Sequence, residues 1–236
     1  MNIIITGASR GIGYETVKIF ASNEGNTIFA VSRNKAKINE LANICNEQQT
    51  NSVVIPYALD LSLENEIEKF AATLNKKVST IDILINNAGY LVRNNIENIS
   101  VSEIEQIFKV NSIAPMILVQ KLLPLLKESE KAHVLNVSRM AGFQGSSKFP
   151  GLTAYSASKS AVVGFTECLA EELKETNIKV NALALGAVAT EMLAEAFPGY
   201  EAPSSAKQMA QYFYEFALNG YKMFNGKILP VSSSTP

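Results

Sequence analysis

Short runs rich in Ile and Val recur along the 236 residues of this chain: NIIIT at 2–6, TIFAV at 27–31, SVVIPYA at 52–58, IDILIN at 81–86, HVLNV at 133–137, IKVNALAL at 178–185 and GKILPV at 226–231. Longer amphipathic segments separate them, near 12–24, 34–49, 62–77, 100–129, 154–176 and 204–219. A run that is apolar at nearly every position must be covered on both faces. Strands of that kind alternating with helices predict an α/β fold, built from βαβ units around a parallel sheet. The length suits one large domain over 1–236, and no repeat, low-complexity tract or linker interrupts it. The least regular stretches are 142–153 and 190–205. Ligands of such sheets sit at the carboxyl ends of the strands, so both stretches are candidates for substrate contact, with 190–205 the expected substrate loop.

Composition removes several function classes. The net charge is −1 and no basic run exceeds Lys76–Lys77, which argues against a nucleic-acid or membrane partner. No apolar stretch approaches the roughly 20 residues of a membrane helix. The start, MNIIITG, has no basic region, so the expected compartment is the cytoplasm. Cys45 and Cys168 are expected to be inert core thiols. Two distant cysteines and one histidine, His133, do not make a metal site, and none is expected.

The first run leads directly into TGASRGIG, residues 6–13. Gly7, Gly11 and Gly13 let a backbone turn tightly and approach a pyrophosphate, while a helix opening near Gly11 aims free N–H groups at it. With Ser9, Arg10 and Ile12 between them, these are the first cofactor-binding candidates. GASRG also fits the GxSxG elbow of hydrolases, with Asp60 or Asp82 and His133 as partners. That elbow needs an oxyanion donor from an earlier strand loop, and none precedes residue 7.

An acid about 20 residues past the glycines is the mark of NAD binding. Here that position is Arg33, a cation suited to a 2′-phosphate, with Arg10 as a second positive contact. NADP(H) is therefore expected over NAD(H). Asp60, closing the third run, is expected to cap the next helix or touch the adenine edge.

Tyr155 and Lys159 in YSASK are four residues apart, which brings both to one helical face. An ammonium about 4 Å from a phenol, at an effective dielectric near 20, supplies about 4 kcal/mol, enough to lower a pKa of about 10 by 2–3 units. The intervening Ser156, Ala157 and Ser158 are expected to leave room for cofactor and substrate. Tyr14 and Lys18 share the spacing, but the apolar stripe of Ile12, Ile19 and Phe20 turns them outward, so they are expected at the surface.

Taken in order, TGASRGIG, NNAG at 86–89, Asn111, YSASK and VNALALGAVATEM at 180–192 resemble the short-chain dehydrogenase/reductase family over nearly the whole chain. The resemblance implies a doubly wound Rossmann-type sheet of about seven parallel strands and a nicotinamide cofactor. It also implies a Tyr-Lys-Asn-Ser catalytic group, with Tyr155 exchanging the proton, Lys159 holding the nicotinamide ribose and Asn111 binding a relay water. Asn87, Ala88 and Gly89 would wall the cofactor, and Gly186, Val188 and Thr190 would meet the nicotinamide and diphosphate.

The pattern breaks where the family places its serine, because NVSRMAG at 136–142 puts Arg139 there. Ser138 could be re-aimed by a bulge, Ser146 or Ser147 could supply the hydroxyl, or Arg139 could itself polarise a carbonyl or bind an acidic substrate. Leu185 stands where proline is usual, and the tail VSSSTP departs from the usual ending. The expected function is an NADP(H)-dependent reductase or dehydrogenase acting on a small carbonyl/alcohol pair; the alternative is a non-catalytic NADP(H)-binding homologue with a regulatory role. The helices at 100–129 and 154–176 carry apolar residues beyond one face, as in MILVQKLLPLL at 116–126. Such helices pair across subunits in the family, so the resemblance implies a homodimer or homotetramer, with intrachain burial taking some of that apolar surface.

Overall fold

The computed structural model describes residues 1–48, 50–143, 145–146 and 148–232. The apolar runs form strands β1 (Asn2–Thr6), β2 (Thr27–Ser32), β3 (Val53–Ala58), β4 (Ile83–Asn86), β5 (His133–Arg139), β6 (Lys179–Leu185) and, last, β9 (Ile228–Val231). A separate two-strand ribbon joins β7 (Val188–Ala189) to β8 (Ser204–Ser205). The helices are α1 (Gly11–Ala21), α2 (Lys35–Asn46), α3 (Glu64–Lys77), α4 (Val101–Phe108), α5 (Ala114–Lys127), α6 (Thr153–Glu172), α7 (Glu191–Ala196) and α8 (Ala206–Asn219).

Among the described residues the main sheet has seven strands in the order β3-β2-β1-β4-β5-β6-β9, every pairing parallel. The order reverses between β1 and β4, which opens a crevice at their carboxyl ends.

Alternation along each strand divides the core. Ile3, Ile5, Ile28 and Ile85 face one layer with Val17 and Phe20 of α1, Leu41 of α2 and Phe213 of α8. Ile4, Phe29, Leu84 and Val134 face the other, with Phe70 and Leu74 of α3 and Leu118 and Leu122 of α5. Each such side chain contributes about 1.5–3 kcal/mol on burial, and a one-residue slip would exchange the two sets, so the register is held from both sides.

Two segments differ from expectation. The helix read over 100–129 is broken by a π turn at Lys109–Ile113, whose extra residue turns Val110, Asn111 and Ser112 inward together. Ser112 Oγ donates to the Ser158 carbonyl at 2.8 Å, so tertiary bonds stabilise the wide turn. The 190–205 stretch is not all loop, because it contains α7 and β8. Thr190 caps α7 by accepting from the Leu193 N–H at 3.3 Å.

Some side chains are also corrected. Cys45 is buried, and burial pushes its thiol up to about 11, but Cys168 is exposed on the outer face of α6 and is no core thiol. Tyr14 is half-buried against the core on α1's side, with Lys18 over its ring, rather than free at the surface. His133 is fully buried, its Nδ1 3.0 Å from the Ala217 carbonyl and its Nε2 3.1 Å from Asn181 Nδ2. Burial lowers its pKa to about 4, so it is a neutral structural imidazole at the far end of β5. Among the described residues no helix is long and apolar enough to cross a membrane, and no group of three or more His, Cys, Asp or Glu is placed to hold a metal ion.

Candidate active site

The chain leaves β1 at Thr6 and enters α1 through Gly7 and Gly11, at φ +70 and +58. Space as well as conformation demands glycine in this loop. A Cβ on Gly7 would lie 2.8 Å from Ala88 Cα, and one on Gly13 would lie 2.5 Å from the Gly7 carbonyl oxygen. Thr6 Oγ1 accepts the N–H groups of Asn87 and Ala88, each at 3.0 Å, and the Asn87 amide donates to the Thr6 carbonyl at 2.9 Å. The turn after β4 is thereby pinned to the glycine loop. No side chain among the described residues caps α1, and its first turn carries no acid, so its leading N–H groups are open to an anion.

A cleft of about 580 Å³ runs from this loop across the sheet ends. Gly7, Ser9, Arg10, Gly11 and Ile12 form its floor, and Asn87, Ala88 and Gly89 one wall. Arg33 and Asp60 stand at its β2 and β3 end, Tyr155 and Lys159 at the other, and Thr190 over the middle. Three cofactor candidates fall outside it. Gly13 packs behind the loop, Gly186 abuts Ser232, and Val188 is buried in the core and paired with Ser204. Leu185, three residues before the ribbon, lines the cleft in their place. Sequence reasoning missed Lys37, Leu59 and Met192, which also line it; Lys37 had a signal, a second cation close in sequence to Arg33 in the first turn of α2.

Both basic and acidic expectations at this end need adjustment. Arg10 is engaged by Glu195 of α7 through its two terminal guanidinium nitrogens, which raises the guanidinium pKa and lowers that of the carboxylate. Asp60 caps no helix: its Oδ1 accepts from the Ser62 N–H at 2.9 Å and from Ser62 Oγ at 2.8 Å, while Leu63 is the residue at the α3 N-cap. Arg33 is exposed, with no hydrogen bond or ion pair to any described residue.

The other end is built around α6. Tyr155 and Lys159 are 4% and 3% exposed. Lys159 Nζ donates to the Val137 carbonyl at 2.8 Å and lies 6.0 Å from the Tyr155 ring centre. Residues 137–139 enclose the lysine. Val137 takes its ammonium, the Ser138 hydroxyl donates to its backbone carbonyl at 2.9 Å, and Arg139 enters the cleft. Strand alternation explains the split: Ser138 and Arg139 leave opposite faces of β5, and no bulge re-aims Ser138, which is fully buried away from the cleft. Ser146 Oγ is bonded to the carbonyls of Met140 and Phe143, and Ser147 lies outside the described residues.

Electrostatics reverses one expectation. Burial pushes the Tyr155 phenol up, opposed by the charge of Arg139, and not down by Lys159. Lys159 is itself desolvated: burial, helped by the like charge of Arg139, draws it down to about 7. An amine near half protonation is a weak source of positive charge, and burial outweighs it.

Asn111 is fully inside. Its Oδ1 accepts the Tyr90 N–H at 2.7 Å, and its Nδ2 donates to the Tyr90 carbonyl at 2.9 Å and to Ser158 Oγ at 3.0 Å. Ser158 Oγ in turn donates to the Tyr155 carbonyl at 2.7 Å. The small residues between Tyr155 and Lys159 therefore do not open space for ligand. Ser158 joins the π turn to α6, while Ser156 and Ala157 face away from the cleft.

A parallel sheet reversing at β1/β4, with a glycine-lined cleft entering at the reversal, defines a nucleotide-binding α/β protein of the Rossmann type. The family model for short chain dehydrogenases matches residues 1–201. The chain belongs to the short-chain dehydrogenase/reductase family. It is 32% identical over 187 residues to Oxidoreductase BOA17 of Botryotinia fuckeliana, covering 79% of this chain and 65% of that protein, just under two thirds of its length. It is 32% identical over 189 residues to the 3-oxoacyl-(acyl-carrier-protein) reductase FabG of Thermotoga maritima, covering 80% and 74%. Among solved structures, the RhlG/NADP active-site complex of Pseudomonas aeruginosa superposes with a TM-score of 0.85 at 26% identity, covering 99% of this chain and 95% of that one.

Proposed function

We propose that this protein interconverts a carbonyl and an alcohol, using NADP(H) in preference to NAD(H), in the cytoplasm. A bound nicotinamide nucleotide supplies the hydride exchanged with the substrate carbon. One observation carries the reading: a buried tyrosine and a buried lysine share the wall of the same cleft whose far end holds the glycine loop and an unpaired arginine. Burial keeps the Tyr155 hydroxyl protonated at neutral pH, so it stands ready to donate to a developing alkoxide. Lys159, at about 7, gains or loses a proton near neutrality and can restore that of the tyrosine. Asn111 spends both N–H groups and one Oδ1 lone pair inside the protein, so it positions the π turn and offers one remaining lone pair to a relay water.

The glycine loop and the uncapped start of α1 fit a diphosphate. Arg33 with Lys37 fits a 2′-phosphate, and the NADP of the RhlG complex supports the same preference. Arg10 would join them on release from Glu195. Steady-state rates with NADPH and NADH test this. Wild type is expected to favour NADPH at least tenfold in kcat/KM, and Arg33→Ala to remove most of that ratio, as befits a charge-assisted contact. Equal use of both cofactors by wild type would overturn the preference.

A second reading, a non-catalytic NADP(H)-binding homologue, draws on Arg139 occupying the place of the family's hydroxyl. It has no turnover for Tyr155→Phe to abolish. Exposed Val101, Ile113 and Met116 along α4, the π turn and α5 support assembly as a homodimer or homotetramer.

A further inference from the structure

We propose that the substrate of this cleft is a short oxo acid, or the matching hydroxy acid, whose carboxylate is held by Arg139. The assignment rests on the oxidoreductase reading above and names its substrate class.

The chain has four arginines, and the structure accounts for two. Arg10 pairs with Glu195, while Arg93 donates to the Ala196 carbonyl at 3.2 Å and lies over the Phe197 ring. Arg33 and Arg139 have no hydrogen bond or ion pair to any described residue, and both line the one cleft. They are not redundant. Arg33 directly follows β2 and Arg139 ends β5, and these strands are three positions and so about 14 Å apart across the sheet. If Arg33 serves the nucleotide's ribose end, Arg139 serves the reacting end, next to Tyr155 and Lys159.

Charge at that end is unbalanced. Arg139 is half-buried beside a buried amine, and its field acts on both Tyr155 and Lys159. The acids lining the cleft are elsewhere: Asp60 is bonded to Ser62, and Glu191 sits against Gly11. A half-buried guanidinium with no acceptor among the described residues can take one from a ligand, and its fork matches a carboxylate through two parallel bonds. The neighbouring walls, Val137, Leu185 and Met192, are apolar and suit a short aliphatic chain. Burial is the larger cause of the lowered Lys159 pKa and Arg139 the smaller; a carboxylate on Arg139 with its carbonyl at Tyr155 would offset the smaller one and raise the amine's proton affinity.

Matched acids and esters test the assignment at saturating NADPH: pyruvate against methyl pyruvate and acetoacetate against methyl acetoacetate, with dihydroxyacetone phosphate as the phosphate arm. Wild type is expected to prefer each acid over its ester at least tenfold in kcat/KM. Arg139→Gln should erase or invert that preference, Arg139→Lys should restore part of it, and the lysine-dependent limb of the pH profile should move upward in Arg139→Gln. Calorimetric titration with oxamate and ethyl oxamate reads binding without turnover, and wild type should bind the acid at least tenfold tighter, Arg139→Gln no tighter than the ester. Acid and ester treated alike in both assays, or a preference for the phosphate ester, overturns the proposal whether or not neutral ketones are reduced. Oxamate held through Arg139 by a protein that reduces no carbonyl would sustain the carboxylate site and sink the oxidoreductase reading instead. Arg139 is only half-buried, and thermal melts confirm that each variant is folded.

Discussion

Tyr14 with Lys18 and Tyr155 with Lys159 are two copies of one local arrangement set in different surroundings. The amine lies 5.4 Å from the ring centre in the first pair and 6.0 Å in the second, so helical spacing gives both nearly the same geometry. Lys18 is 37% exposed and lies 3.5 Å from Glu15. Lys159 is 3% exposed, with a backbone carbonyl as its partner and a second cation nearby. Spacing creates the pair, but desolvation gives it chemistry. A helix can present Tyr-x-x-x-Lys anywhere; only the copy walled in by β5 and the π turn has an amine brought near neutrality.

The largest contrast is expected in turnover. Tyr155→Phe should lower kcat by about 10²–10⁴-fold while leaving NADPH affinity within twofold, as for loss of a general acid–base group. Tyr14→Phe should leave kcat unchanged. Rates that fall equally in both variants would break the distinction between the pairs.

Stability against pH sharpens it next. The folded pKa of Lys159 lies below the ordinary lysine value of 10.5, at about 7. Between those values the unfolded chain binds the proton and the folded one does not, so stability rises with pH across that window and is lost as pH falls from about 10.5 to about 7. The full span corresponds to about 5 kcal/mol, at about 1.4 kcal/mol per pH unit. Urea melts from pH 7 to 10 should show this slope in wild type and Lys18→Met, and a flattened one in Lys159→Met. A slope that survives Lys159→Met would show that the amine is solvated.

The smallest effect concerns how the inner lysine is held. A Cβ on Gly142 would stand 2.7 Å from the Lys159 carbonyl carbon, with backbone on both sides of the contact. Gly142→Ala should cost about 1–3 kcal/mol in thermal or urea melts by overpacking, and should lower kcat with it. Among the described glycines none presses on Lys18 in this way. A fully stable, fully active Gly142→Ala would mean that α6 can shift without consequence.

What the sequence disclosed follows the range of the forces involved. Ile3, Ile4 and Ile5 announce a strand covered on both faces because that requirement acts on every residue of the run. The glycine loop was equally legible, since Gly7 and Gly13 answer a backbone constraint that no other residue meets. Arg139 could be placed in the cleft or out of it only by knowing whether β5 stays regular to its end, and it does. Burial of Tyr155 and Lys159 is set by β5, the π turn and the 137–142 segment together, so the direction of the tyrosine's shift was hidden although its position was not. The π turn leaves no mark in composition, because KVNSI would suit a regular helix and only bonds to Tyr90 and Ser158 widen it. Gly186 and Val188 were misplaced for a similar reason: the chain enters the small ribbon there, whose partner strand lies some 16 residues on.

The surplus residue of that π turn makes chain length, and not only residue identity, part of the site. Each residue of an α-helix advances the azimuth by about 100°, so removing one position between Phe108 and Ala114 would rotate α4 against α5 by that angle. Asn111 would swing off Tyr90 and Ser158, and the carboxamide that spans three elements would be lost without any of its own atoms being altered. Substitutions in this stretch act one contact at a time, whereas a single-codon deletion would dephase the whole support of the proton-transfer wall.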